Sequence, residues 1–272
     1  MQRTQTSVAF SADDRHWFLI NASPDLRQQI NQTPRLHPAR GRLRHSPIAG
    51  VILTNGEIDA IAGLLSLREG APFTIHAHER VLATLDTNSL FNVLDRGRVR
   101  RSAIALETPF EPLLPDGSPS GIVVTPFAVP GKGAWYLEQH PRDDSPGDTL
   151  GLEVRDLATS RTVFFIAACA DVTPALKARM DGAALVFFDG TLWQDDEMIA
   201  AGLGQKTGQR MGHIAMSGDR GAIAALADIE IGRRIFLHVN NSNPVLLPDS
   251  PERRVAEKAG WEIASDGMEI TL

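Results

Sequence analysis

The first fifty residues alternate between apolar and polar positions in a pattern that predicts a hairpin, a helix and a loop. Residues 5–21 alternate with period two around an Ala-Asp-Asp turn, which is typical of a β-hairpin. Ser23 and Pro24 favour the start of a short helix that runs to Ile30, because serine caps a helix and proline suits its first turn. The polar, arginine-rich stretch 31–47 then predicts a surface loop.

Further along the chain, apolar runs of strand length alternate with stretches of helical spacing. A run bounded by turn residues predicts a buried strand, and an apolar period near 3.6 residues predicts a helix. We predict strands at 48–55, 73–77, 162–168, 184–189 and 233–239, helices at 58–69, 79–94, near 174–180, from about 195 and at 221–229, and a β meander over 104–161. This order predicts an α/β fold in which helices cover the sheets.

Composition and charge narrow the class of protein. Cys169 is the only cysteine, so the chain can form neither an intrachain disulfide nor a structural zinc site built from several cysteines. Its 27 basic and 33 acidic residues give a net charge of −6, which provides no general attraction to nucleic acid or to an anionic membrane. The start of the sequence lacks a secretory signal, and no run reaches the roughly 20 apolar residues of a membrane helix. We therefore expect a cytoplasmic protein.

Polar side chains follow the predicted strands, at the ends where ligands usually bind in α/β folds. Asn55, Glu57 and Asp59 close the strand 48–55 and open the next helix, and their oxygen atoms suit a divalent cation. The same three residues also suit a helix N-terminus with an acidic first turn, which needs no metal. Spacing alone favours this second interpretation.

Two aspartates follow later strands. Asp171 lies shortly before Pro174 at the start of a predicted helix, so a capping role is its default. Asp189 ends the strand 184–189 and precedes a glycine, which makes a cap less obvious.

Histidines complete the set of candidates. His238 ends the last predicted strand, and His213 lies at a glycine turn before a helix. Histidine is a common metal ligand that titrates near neutral pH, although a single histidine at a strand end is more often structural. His76 and His78 alternate on one strand, but His78 begins a helix, so we expect this pair at the surface and outside the site.

Taken in order, these loops resemble the metallo-β-lactamase fold, an α/β fold built as an αββα sandwich of mixed sheets flanked by helices. The metal-binding positions of that fold correspond to Asn55, Glu57, Asp59, Ala60, Lys132, Asp171 and His238. Asp59 and His238 retain the expected residue types, whereas Lys132 replaces a histidine and its ammonium would repel a cation. The resemblance implies a single domain over 1–272 without the usual pair of zinc ions.

Several motifs in the same order resemble the coenzyme PQQ synthesis protein B family. They cover residues 3–7, 21–26, 63–69, 189–198, 206–218, 238–244, 250–253 and 266–268. Members of that family usually begin with a further strand and a cysteine-rich segment that can hold a structural zinc ion. We expect this chain to lack that first strand and that zinc, and Ala60 stands where the family commonly has a histidine.

The family resemblance implies a role in building pyrroloquinoline quinone (PQQ) from a peptide whose Glu and Tyr are cross-linked. One reaction described for the family is an iron-dependent hydroxylation of the tyrosine ring of the Glu-Tyr unit, and Fe(II) chemistry of this kind needs His and carboxylate ligands with open positions. The resemblance assigns the metal, Fe(II) or Zn, to Asp59 and His238, with Glu57 and Asp171 as further ligands.

The remaining roles also follow from the resemblance. Asp189 would orient His213 for proton transfer. The substrate-binding candidates are Lys132, Arg68, Asn240, Asn241 and Asn243.

The alternative function is a non-catalytic carrier that supports transfer of PQQ or its precursor towards the periplasm. Lys132, Arg68 and the loop 35–44 would then pair with carboxylates of the ligand. The expected partners are PQQ or its Glu-Tyr precursor, with other PQQ-synthesis proteins and a second copy of the chain in a homodimer as further ones.

Overall fold

Two β-sheets form the centre of the fold. The computed structural model describes residues 3–69, 71–137 and 146–272, and eleven strands lie within them. The first sheet contains, from edge to edge, β1 (Val8–Phe10), β2 (Trp17–Ile20), β3 (Ile48–Ile52), β4 (Phe73–Ala77) and β5 (Val99–Ala103). The second sheet contains, from edge to edge, β6 (Ile122–Ala128), β7 (Leu150–Asp156), β8 (Thr162–Ile166), β9 (Ala183–Asp189), β10 (Ile231–Leu237) and β11 (Trp261–Ile263).

Both sheets are mixed. In the first, β1 and β2 form the predicted antiparallel hairpin, with Val8 opposite Ile20, and β2 to β5 run parallel. In the second, β6, β7 and β8 are antiparallel neighbours, whereas β8 to β11 run parallel. Central parallel strands such as β3 and β9 are nearly continuous apolar runs because helices cover their outer faces.

Short helices connect the strands. They are α1 (Leu26–Gln32), α2 (Ile58–Ile61), α3 (Glu79–Thr87), α4 (Pro174–Met180), α5 (Glu197–Ala200), α6 (Gly208–Met211), α7 (Ala222–Ala225) and α8 (Pro251–Lys258). Single 3₁₀ segments occur at Pro34–Leu36, Ala62–Leu67, Ser89–Val93, Trp135–Leu137 and Pro244–Leu246. Within the residues described, none of the helices has the length and apolarity that crossing a bilayer requires.

Three apolar layers hold the sheets and helices together. The middle layer joins the two sheets through fully buried side chains such as Ile52 of the first sheet and Phe165 of the second. One outer layer packs α1, α2 and α3 on the first sheet, and the other packs α4, α7 and α8 on the second. This order of layers confirms the predicted αββα sandwich of mixed sheets flanked by helices.

Several elements differ from their predicted form. The structure adds β5, β11 and α8, which the apolar pattern did not predict, and α1 begins at Leu26 with Asp25 in the N-cap position. The helix predicted over 58–69 is only α2 followed by a 3₁₀ segment. Gly63 explains this change, because its amide bonds to Ala22 O at 2.8 Å and a Cβ there would lie 2.0 Å from Ser23 O.

The topology brings several strand-end loops to one place. Helix α2, which follows β3, carries Asp59, and the loops after β9 and β10 carry Thr191 and His238. A backbone hydrogen bond from Leu150 N to Thr54 O, at 2.8 Å, ties the two sheets together beside these loops. Polar side chains far apart in sequence therefore meet at one end of the sandwich.

Candidate metal centre

His238 is the residue that connects the two sheets at this end. It follows β10 directly and has a left-handed backbone, with φ of 57°, which turns its side chain out of the strand direction. Its Nε2 lies 2.7 Å from Asp59 Oδ2, and its Nδ1 lies 2.8 Å from Thr191 Oγ1. Both ring nitrogens therefore have polar partners, one in α2 beside the first sheet and one in the loop after β9 of the second sheet.

The contact between Asp59 and His238 shifts the pKa of both groups. Burial opposes the charged form of His238, but the hydrogen bond to Asp59 and the nearby carboxylates outweigh it and raise the pKa of the imidazole. Burial likewise opposes the Asp59 carboxylate, yet the hydrogen bond from His238 lowers the pKa of Asp59 below its ordinary value. Each of the two groups therefore favours the charged form of the other.

Asp189 and His213 form a second acid–histidine pair next to the first. His213 Nδ1 lies 2.7 Å from Asp189 Oδ2, and the rings of His213 and His238 stack with centroids 5.3 Å apart. Asp189 is fully buried and also accepts hydrogen bonds from Cys169 N and from the amide and hydroxyl of Thr191. Because these partners engage both of its oxygens, Asp189 is fixed in place and holds His213 in one orientation.

The residues fit one metal ion. Asp189, His213 and His238 each offer a ligand atom, and these atoms lie within 4.8 Å of one another. A recess of about 10 Å³, close to the minimum volume that holds one water, is lined by Asp59 and His238 together with others. Its lining also includes Ala60, Ala167 and Ala168, whose side chains offer no metal ligand. Asp59 Oδ2, at 2.7 Å from His238 Nε2, adds a carboxylate oxygen beside this group, and Asp59 with His238 would leave open positions on a single cation.

The predicted ligand Glu57 has a different partner. Its Oε1 accepts a hydrogen bond from Trp135 N at 2.7 Å, and Asn55 Oδ1 accepts one from Glu57 N at 2.9 Å. Burial raises the pKa of Glu57, while the bond from Trp135 opposes that rise. Glu57 therefore lies beside Asp59 and holds the turn that carries Trp135.

Asp59, Asp189, Thr191, His213 and His238 contact one another and form what we call the His238 cluster. The contacts of Asp171 and Arg68 lie outside this cluster. Asp171 is exposed, and the cap of α4 predicted for it is made by Thr173, whose side chain accepts from Leu176 N. Arg68 is about half exposed and pairs with Glu69. The capping role predicted for Asp171 was therefore wrong.

Lys132 lies close to the second acid–histidine pair. Its side chain packs against Gly212, the residue before His213, and its positive charge acts on Glu57. Thr149 Oγ1 donates a hydrogen bond to the Lys132 carbonyl at 3.0 Å, which fixes the backbone of this turn. The structure thus places a cationic side chain next to the candidate site.

The three asparagines after His238 have different environments. Asn243 is 1% exposed, and its amide donates to Gly190 O and accepts from Val245 N, so its side chain holds the loop. Asn240 is half-buried and donates to the sulfur of Met198 at 3.3 Å, whereas Asn241 is exposed. Asn240 and Asn241 are the two that a ligand could reach.

The expectation of a surface pair at His76 and His78 was wrong for His76. His76 is only 6% exposed, its ring contacts Phe110, and burial lowers the pKa of its imidazole to about 4. His78 does begin a helix as predicted, because it caps α3 by accepting from Arg80 N. Neither residue belongs to the His238 cluster.

Thr191 is the residue of the cluster that sequence reasoning missed. Its hydroxyl contacts Asp189 Oδ1, His213 Nδ1 and His238 Nδ1, at 2.6, 3.0 and 2.8 Å. The available signal was the Asp-Gly-Thr sequence at a strand end, where a threonine two residues after an aspartate can bond back to it.

Comparison with known proteins first defines the class. The β-lactamase superfamily domain matches residues 16–239, and together with the αββα sandwich it makes this chain a metallo-β-lactamase-fold protein. A solved diphosphatase from the PhnP family has the same fold, with a TM-score of 0.66 at 17% identity over 100% of this chain and 85% of that one.

Closer relatives define the family. Coenzyme PQQ synthesis protein B of Bradyrhizobium diazoefficiens is 68% identical over 99% of this chain and 88% of that protein, and the one of Gluconacetobacter diazotrophicus is 57% identical over 99% and 88%. A crystal structure of Zn(2+)-bound PqqB from Methylobacterium extorquens matches with a TM-score of 0.93 and 49% identity, over 99% of this chain and 88% of that one. This chain belongs to the coenzyme PQQ synthesis protein B family, which confirms the predicted resemblance.

Proposed function

We propose that this chain acts in PQQ biosynthesis as an iron-dependent oxygenase that hydroxylates the tyrosine-derived ring of a Glu-Tyr precursor. The observation that carries the proposal is the position of His238, which has Asp59 on one ring nitrogen and the Thr191–Asp189 pair on the other. A His/carboxylate site with open positions next to an acid–histidine pair suits oxygen chemistry with proton transfer. Membership of the coenzyme PQQ synthesis protein B family supports a role in PQQ biosynthesis, and the Glu-Tyr substrate is part of the proposal.

Asp59 and His238 would hold the ion at the recess that they line. When bound, Fe(II) supplies the binding and activation of O₂. The overall reaction places one oxygen atom of O₂ at a ring C–H position and reduces the other to water, with two electrons and two protons from an external reductant such as ascorbate and from the solvent.

His213, oriented by Asp189, would transfer protons in this reaction. The His213 Nδ1–H is bound to Asp189, so Nε2 is the atom at which His213 can take up or release a proton. Burial and the hydrogen bond from Cys169 N keep the Asp189 carboxylate fixed, so the imidazole is held in one orientation.

Lys132 would bind the substrate. Its side chain lies against Gly212, next to His213, and an ammonium there would pair with a carboxylate of the precursor. Asn240 and Asn241 follow His238 in the chain and would contact the amino-acid part of the same molecule.

The test is oxygenation of a Glu-Tyr dipeptide by protein that has been loaded with Fe(II) anaerobically and then exposed to O₂ with ascorbate as reductant. We expect mass spectrometry to show a product with one added oxygen atom, and its loss in His238→Ala. His37→Ala is the matched control, because His37 is an exposed histidine in the loop after α1. Absence of product at saturating Fe(II) would refute the oxygenase.

A carrier function is the second candidate, and Ala60 favours it. Its methyl group lines the recess at a point where a further side-chain ligand would strengthen a metal site. A carrier would bind PQQ equally well after chelation of metals, which isothermal titration calorimetry with chelator-treated protein measures. Binding that depends on added Fe(II) would argue against the carrier.

A further inference from the structure

We propose that Thr191 is a positioning residue that fixes the tautomer and orientation of His238, so that Nε2 is the nitrogen offered to a cation. This inference rests on the proposed metal site, and it does not depend on which reaction that site performs. Thr191 does not itself line the recess, and it reaches the recess through its contact with His238, which does.

Thr191 donates its hydroxyl proton to Asp189. Thr191 Oγ1 lies 2.6 Å from Asp189 Oδ1, which is the shortest contact of this hydroxyl. A carboxylate oxygen can only accept, so the single hydroxyl proton points at Asp189. The oxygen of Thr191 is then left as an acceptor.

It follows that His238 Nδ1 carries a proton. Nδ1 lies 2.8 Å from Thr191 Oγ1 and must be the donor in that bond, because the hydroxyl proton is already given to Asp189. His213 does not compete for this arrangement, since its Nδ1 has a shorter bond, of 2.7 Å, to Asp189 Oδ2. With Nδ1 protonated, only Nε2 can offer a lone pair to a metal.

Thr191 is itself held in place. It is 8% exposed, its amide donates to Asp189 Oδ1 at 3.0 Å, and its carbonyl accepts from Asn240 N at 3.1 Å. Asn243 supports the same turn through its bond to Gly190 O, at 3.0 Å. Because this turn is fixed from several sides, a flip of the His238 ring would replace a nitrogen with a carbon at both Thr191 and Asp59.

The test compares Thr191→Val, which keeps the shape but removes the hydroxyl, with Thr191→Ser, which keeps the hydroxyl. We expect Thr191→Val to weaken Zn(II) binding about 10-fold to 100-fold, as loss of a hydrogen bond to a metal-binding histidine typically does, and Thr191→Ser to restore most of it. Thr87→Val is the control, since the Thr87 hydroxyl bonds only along α3 to Ala83 O and Thr84 O. Unchanged Zn(II) affinity in a folded Thr191→Val protein would overturn the inference.

A second measurement needs no variant. Nitrogen-15 NMR of the Zn(II)-loaded wild-type protein should show a slowly exchanging proton on His238 Nδ1, and a proton on Nε2 with the metal at Nδ1 would overturn the inference. The oxygenase assay plays no part in either readout. A protein with Thr191-dependent Zn(II) affinity and no hydroxylation would retain this inference and remove the oxygenase proposal.

Discussion

The buried imidazole of His76 should make the stability of the fold depend on pH. His76 lies in β4 and is 6% exposed, and among the residues described neither of its ring nitrogens has a hydrogen-bond partner. Burial, assisted by the charge of Arg100, lowers the pKa of His76 to about 4 from 6.5. The native protein therefore keeps this histidine neutral where the unfolded chain would protonate it.

The sign and size of the effect follow from linkage. Below pH 6.5 His76 binds a proton in the unfolded chain but stays neutral in the folded protein. The free energy of unfolding therefore falls as the pH drops from 6.5 towards 4. Above pH 6.5 both states are neutral and the effect disappears. A difference of 2.5 pKa units corresponds to about 3 kcal/mol over the whole window, of which about 2 kcal/mol is lost by pH 5.

The assay is urea unfolding of wild type and His76→Leu at pH 7 and pH 5. We expect the wild type to lose about 2 kcal/mol more than the variant between the two values, because leucine cannot bind the proton. At pH 7 the variant should be as stable as wild type or more so, since it removes buried polar atoms without partners. His37→Leu, at an exposed histidine, should behave as wild type. Equal losses in wild type and His76→Leu would refute the reasoning.

Three further predictions follow from contacts elsewhere in the structure. Gly63→Ala should destabilise the fold by more than about 3 kcal/mol in chemical unfolding, because its Cβ would lie 2.0 Å from a backbone oxygen, whereas Gly204→Ala, with 3.5 Å to its nearest neighbour, should fold normally. A double-mutant cycle on Arg80 and Asp148, which share two hydrogen bonds of 2.8 and 2.7 Å, should give a coupling of about 1–2 kcal/mol, and a coupling near zero would contradict the partly buried pair. Cys169 is buried with its pKa raised to about 12, so a thiol reagent at pH 8 should label it only after unfolding, and rapid labelling of the native protein would show that it is accessible.

Much of the fold could be predicted from the apolar pattern, because buried parallel strands are continuous apolar runs. This was true of β3 and β9, and the shorter apolar stretches of β4 and β10 were also enough to predict those strands. The pattern failed for β5, whose sequence Val-Arg-Arg-Ser-Ala is mostly polar because it is an edge strand.

The candidate site could be predicted only as a set of strand-end residues. His238 and Asp59 are 179 positions apart, and only the pairing of the two sheets brings them within hydrogen-bond distance. Asp171 is a potential metal ligand at a strand end, but its side chain is exposed. Thr191 is not a residue type that suggests a metal site, yet its hydroxyl contacts Asp189, His213 and His238. Local sequence does not determine such long-range contacts.

The proposed metal site at Asp59 and His238 can be tested by measuring how many iron ions each chain binds. The protein is loaded with Fe(II) under anaerobic conditions, freed of excess metal and analysed for iron, alongside His238→Ala and His37→Ala. We expect about one iron per chain in wild type and in the His37 variant, and a loss of most of it in His238→Ala. An iron content that is negligible in wild type, or equal in wild type and His238→Ala, would show that Asp59 and His238 do not form the metal site.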